Sequence, residues 1–123
     1  MRMRKKKNLS TRLENCSSVI VTEPQALRGK WRERFGNDHP LYLEIGCGKG
    51  RFILESAHRN PDINYLALER EEGALIIAAE KAMENPLPNL LFLDFDASQL
   101  TDIFADGEID RIYLNFSDPW PPN

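Results

Sequence analysis

Glu44-Ile45-Gly46-Cys47-Gly48-Lys49-Gly50 places an acid at the head of a GxGxG loop. Gly46, Gly48 and Gly50 can take backbone angles closed to other residues and let a ligand approach the main chain. Dinucleotide-binding loops use a GxGxxG spacing and a helix N-terminus to hold a pyrophosphate. Here the spacing is shorter, and Glu44 stands where it would repel a phosphate. An acid suits a cationic ligand instead, directly or through water. S-adenosylmethionine carries a sulfonium and an ammonium and no phosphate. The loop therefore favours that cofactor over NAD. A tight strand–helix turn with no ligand is the plain alternative.

Three further acids join it. Glu69 lies 23 residues after Gly46. An acid about 20 residues past the first glycine, at the end of the second strand, accepts ribose hydroxyls in nucleotide-binding sheets. The other reading is a solvated acid in the run Glu69-Arg70-Glu71-Glu72. Asp96 could accept from an adenine amino group, with Ala97 near the base, or it could serve the N-terminus of the next helix. Asp118 lies in Asn115-Phe116-Ser117-Asp118-Pro119-Trp120-Pro121. An acid and a planar aromatic in a stiff segment suit a nucleobase, and a turn with a buried Trp120 fits equally. His39 and His58 are isolated, and Cys16 and Cys47 form no CxxC pair, so no metal site is expected.

Alternating elements must position these acids. Leu41–Ile45, Ile63–Leu68, Leu90–Phe95 and Ile109–Phe116 read as strands. Gly50–Asn60, Glu71–Glu84 and Ser98–Phe104 read as helices, the last with Ser98 as N-cap. Asn85 to Asn89 reads as a loop. Strands alternating with helices predict an α/β, Rossmann-like fold with a parallel sheet of about four strands and helices on its faces. Right-handed crossovers then gather the strand C-termini, and the four acids, along one edge, where such sheets bind ligands. Ahead of the sheet, Lys30–Asn37 suggests a short helix closed by Gly36, with Trp31 and Phe35 on one face, packing in a core.

The 123 residues make one domain at most, and their 41% hydrophobic and 28% charged content is ordinary for a globular protein. The net charge of −3 conceals an asymmetry. Residues 1–12 hold six cationic side chains (Arg2, Arg4, Lys5, Lys6, Lys7, Arg12) and no acid, whereas the remainder carries −9. A basic arm on an acidic body implies an anionic partner or a solvated terminus. The chain divides into a basic arm and lead-in, residues 1–39, and a cofactor-binding part, residues 40–123. No apolar run could span a membrane, and no secretory h-region follows the arm. A reducing, cytoplasmic setting is expected.

The residues Leu43 to Gly50, Asn60-Pro61-Asp62-Ile63-Asn64-Tyr65 and Asp110 to Pro121 resemble the bacterial tRNA (guanine-N7-)-methyltransferases. Met1-Arg2-Met3-Arg4-Lys5-Lys6 and Gly29-Lys30-Trp31 are similar too, so the resemblance covers nearly the whole chain. It implies the N-terminal part of a class I methyltransferase fold. It also implies methyl transfer from S-adenosylmethionine to guanine N7 in the variable loop of tRNA, giving 7-methylguanosine. By motif position Glu44, Glu69, Asp96 and Asp118 become cofactor contacts, with Gly46, Gly48 and Gly50, and Asp118 the catalytic acid. Arg2, Arg4, Lys5, Lys6, Lys7 and Trp120 become candidates for tRNA contact. The family continues past Asp-Pro-Trp-Pro with a lysine and further strands, whereas Pro122 and Asn123 close this sequence. The expectation is therefore a truncated chain with an uncovered apolar edge, which a second copy would cover in a homo-dimer. Two other readings are kept: a catalytically incompetent fragment that retains cofactor or RNA binding, and a NAD-dependent oxidoreductase.

Overall fold

The structure is a computed structural model that describes residues 2–115, with side chains described from Leu9 onward. Asp118 and Trp120 lie outside the described residues. The elements run α1 (Arg2–Asn15), β1 (Ile20–Val21), a 3-10 turn (Pro24–Leu27), α2 (Trp31–Phe35), β2 (Leu41–Ile45), α3 (Arg51–Arg59), β3 (Asn64–Leu68), α4 (Glu72–Glu84), β4 (Leu90–Leu93), a second 3-10 segment (Ala97–Asp102) and β5 (Arg111–Leu114).

Local chemistry sets these boundaries. Gly36, at φ 82°, closes α2. The carboxylate of Glu71 caps α4 by accepting from the N–H of Gly73 and Ala74. Asp96, rather than Ser98, caps the second 3-10 segment: its Oδ1 accepts from the Ser98 N–H at 3.0 Å. The expected α-helix there is a 3-10 segment interrupted at Gln99, whose φ and ψ of −118° and 33° are not helical.

All strand pairs are parallel, and the sheet order is β1-β4-β3-β2-β5. The sheet has five strands where four were expected. The extra one, β1, pairs Ile20 with Phe92 and Val21 with Leu93. From β2 the chain steps through β3 to β4, then returns to β5 on the other side of β2. The strand order thus reverses between β2 and β5, and open α/β sheets bind ligands at such a point.

Each face of the sheet buries its own apolar layer. One holds Ile53, Ala57, Tyr65, Ala67, Leu75, Ala78 and Phe92, under α3 and α4. The other holds Trp31, Leu41, Leu43, Leu66, Leu93 and Ile103. Residues 1–39 supply Cys16 and Ile20 to the first layer and Trp31 to the second. Trp31 is fully buried, and its indole N–H donates to the Ile103 carbonyl at 2.8 Å. Phe35 packs beside it, as the shared helix face predicted. Buried Glu108 secures this corner by accepting from the N–H of Gly29, Trp31 and Ala105. At the other end of the sheet, β5 leaves Ile112 50% and Leu114 64% exposed.

Candidate functional site

Beyond the C-terminus of β2 the chain enters the glycine loop. Gly46, Gly48 and Gly50 all have positive φ, at 81°, 56° and 87°. Two of them are also places of close approach. A Cβ on Gly46 would meet the Asn115 carbonyl oxygen at 2.8 Å, and one on Gly50 would meet the Ala78 Cβ at 2.7 Å. The loop is thus pressed against the end of β5 on one side and α4 on the other. The N–H groups of Gly46 and Cys47 donate to the Leu68 carbonyl, tying the loop to β3 as well.

Glu69 completes the cradle. Its Oε1 accepts from the Gly48 N–H at 2.8 Å and its Oε2 from the Glu71 N–H at 3.0 Å. A carboxylate has lone pairs for about four hydrogen bonds, so each oxygen keeps acceptor capacity. Glu69 is therefore held in place with room for two hydroxyls.

Glu44 lies beneath the loop and has no exposed surface. Asn115 Nδ2 donates to its Oε2 at 2.8 Å, while its Oε1 is buried without a hydrogen-bond partner. Burial raises its carboxyl to about 7; the Asn115 bond opposes the shift and the Glu69 charge adds to it. Glu44 therefore lies beneath the loop, bonded to Asn115, and is not part of the groove wall. Cys47 is buried beside it, and desolvation, Glu44 and Glu69 all push its thiol up, so it is an unreactive thiol.

The groove above has a volume of about 720 Å³. Glu69, Gly48 and Asn115 line it together with Glu71, Ala74 and Phe52. Lys49 and Arg51 stand at the same groove, where α3 begins at Arg51 and its N-cap, Gly50, offers no side-chain cap. Asp96 sits at the end of β4, exposed and engaged as a cap. It shares the sheet edge with Glu44 and Glu69 but does not line the groove. His58 is exposed on α3. Among the described residues no group of three or more His, Cys, Asp or Glu could hold a metal ion. No described helix is long and apolar enough to cross a membrane.

Asn115, Glu71 and Phe52 were not picked out by their sequence positions. Glu71 carried a usable signal as an acid just ahead of an Ala-rich helix. Asn115 stood only as the first residue of the Asn115–Pro121 string, and its bond to Glu44 was hidden because that partner is 71 residues away.

Residues 38–123 match a family profile described as "Putative methyltransferase". The chain belongs to that family. Over 121 residues, 98% of the chain, it is 48% identical to the tRNA (guanine-N(7)-)-methyltransferase of Bacillus cytotoxicus, covering 56% of that protein. Proteins of the same name from a Geobacillus species and from Lactococcus lactis are 49% and 47% identical over the same share of the chain. The chain spans about half the length of the curated relatives it matches. Among solved structures, an antibiotic-related methyltransferase superposes with a TM-score of 0.62 at 22% identity, over 76% of this chain and 47% of its own. The antibiotic-resistance methyltransferase Kmr superposes at 0.61 and 22%, over 73% and 48%. These likenesses establish a class I methyltransferase fold.

Proposed function

We propose that this chain carries the cofactor half-site of a cytoplasmic enzyme that methylates guanine N7 in tRNA, using S-adenosylmethionine. The observation that carries the proposal is the near-50% identity, over 98% of the chain, to relatives named for that reaction. The groove chemistry supports it. Glu69 offers acceptors for two ribose hydroxyls. The cofactor's amino-acid tail is zwitterionic: the uncapped N–H groups opening α3, with Lys49 and Arg51, suit its carboxylate, and the charge of Glu44 beneath Asn115 suits its ammonium. A pyrophosphate would meet Glu69, Glu71 and Glu55 along the same groove, which disfavours NAD.

When bound, S-adenosylmethionine supplies a methyl group activated by the sulfonium. Guanine N7 presents a free lone pair, so no proton has to be removed. The task left to the protein is alignment of N7 with the methyl carbon. Asp118 is assigned to hold guanine by its N1–H and amino group and to offset the positive charge that develops on the purine. Trp120 is assigned to stack on the base, and the cations Arg2, Arg4, Lys5, Lys6 and Lys7 to meet tRNA phosphates.

The test is methyl transfer to unmodified tRNA with 7-methylguanosine as the readout. The wild-type chain is expected to form it, and Asp118→Asn to lower the rate by about a hundredfold, the order seen when one charge-stabilising group is removed. Undiminished turnover in Asp118→Asn would remove that residue from the mechanism. No product from a folded, cofactor-binding sample would favour a fragment that binds without catalysing.

A further inference from the structure

Helix α1 is held to the body by its C-terminal half. Leu13 packs on the core and Cys16 is buried. Arg12 grips Glu80 of α4 with two hydrogen bonds, Nε to Oε2 at 2.8 Å and Nη2 to Oε1 at 2.6 Å. Just past the helix, Ser18 donates its hydroxyl to Met83 Sδ at 3.2 Å. Contacts thus move from Glu80 to Met83 on α4 as the chain moves from Arg12 to Ser18, so α1 and α4 run in the same sense. At 1.5 Å per residue, Arg2 lies about 15 Å beyond Arg12, and Glu71 about 14 Å beyond Glu80. The N-terminal half of α1, which carries Arg2, Arg4, Lys5, Lys6 and Lys7, therefore extends toward the end of α4 where Glu71 and Ala74 line the groove.

We infer that the Arg12–Glu80 ion pair is a positioning clamp, aiming the basic half of α1 at the groove edge so that a phosphate backbone bound there lies beside the cofactor site. The inference rests on the RNA reading above and adds the residues that orient the arm. Arg12 and Glu80 side chains are 41% and 40% exposed, and a surface pair of this kind adds little to global stability. Its two-point fork does fix direction, which a single point charge would not. Arg12 is thus a positioning residue, set apart from the five cations ahead of it.

Glu80→Gln provides the discriminating variant, because it deletes a negative charge. Simple electrostatics predicts equal or tighter RNA binding by this variant, whereas loss of the clamp predicts weaker binding. The experiment titrates unmodified tRNA into the full chain by fluorescence anisotropy at several salt concentrations, with S-adenosylhomocysteine calorimetry alongside. Glu80→Gln is expected to weaken tRNA binding about five- to tenfold and to flatten the salt dependence by about one to two phosphate contacts. Cofactor affinity is expected to stay unchanged. Arg12→Glu should weaken tRNA binding further, and the exchanged pair Arg12→Glu with Glu80→Arg should restore it to within about twofold of wild type. Glu80→Gln binding tRNA as tightly as wild type overturns the clamp alone. Failure of the wild-type chain to bind tRNA while it binds S-adenosylhomocysteine overturns the RNA reading and the clamp with it.

Discussion

Glu44→Gln is expected to cost at least about tenfold in affinity for S-adenosylhomocysteine while making the ligand-free protein more stable above pH 7. Both effects come from one buried carboxyl. Its charge is held beneath the loop by a single Asn115 hydrogen bond, with Oε1 unpartnered. A hydrogen bond to a charged group contributes about 1.5–3 kcal/mol, so neutralising Glu44 weakens the Asn115 contact and removes the field that favours the cofactor's ammonium. In the ligand-free protein the same charge is a burden. The carboxyl is raised from 4.5 to about 7 in the fold. A raised carboxyl means that the folded state binds more protons than the unfolded state across that interval, so stability falls as pH rises. The contribution is complete below about pH 4.5 and lost through about pH 7, and amounts to roughly 3 kcal/mol. Asp94 is also raised, to about 6, by burial and by its contacts with Glu72, and it acts in the same direction. Urea unfolding at pH 5, 6, 7 and 8 separates them, because the difference between wild type and Glu44→Gln contains only the Glu44 part. That difference should widen with pH to about 1–3 kcal/mol. A constant difference would show that Glu44 does not titrate in this window. Stability given up at a binding residue is a familiar exchange for function.

Trp31→Ala should have the largest effect on folding. Trp31 is fully buried, with its ring 5.6 Å from that of Phe104 and its indole N–H on the Ile103 carbonyl. Truncating a buried aromatic costs about 3–5 kcal/mol, and the stranded carbonyl adds about 1–3 kcal/mol. Against a typical total of about 5–15 kcal/mol, that leaves a protein close to unfolding. Trp31→Phe keeps most of the packing and loses the hydrogen bond, so about 1–3 kcal/mol is expected. No groove-lining residue belongs to the Trp31 layer. Trp31→Phe should therefore bind S-adenosylhomocysteine as wild type does while unfolding at lower urea. A loss of cofactor affinity in a folded Trp31→Phe sample would show that this corner and the groove are coupled.

Much of this architecture is legible in the sequence itself. The α/β alternation from Leu41 to Leu114 is visible because buried strands are short apolar runs and α3 and α4 carry helical spacing. β1 escaped because Ile20–Val21 is too short for periodicity, and its strand character comes from pairing with Phe92 and Leu93. Asp96 displaced Ser98 as cap because the chain turns two residues earlier than the apolar pattern suggests. Glu44, Glu69 and the three glycines were legible as a site, since their types and spacing are themselves the signal. The burial of Glu44 beneath the loop was not, because it depends on Asn115 arriving from β5 across the switch point. Glu108 was equally hidden. It looks like one more loop acid, and only the fold brings the N–H groups of Gly29, Trp31 and Ala105 to it.

The central claim is that the Gly46–Gly50 groove is built for S-adenosylmethionine. Calorimetric titration of the full chain at pH 8 with S-adenosylhomocysteine, and separately with NAD, tests it most directly. The expected result is one-to-one binding of S-adenosylhomocysteine, weakened at least about tenfold by removing the Glu69 carboxylate in Glu69→Ala, with no heat from NAD. Tight binding of NAD, or no binding of S-adenosylhomocysteine by a folded sample, would contradict it.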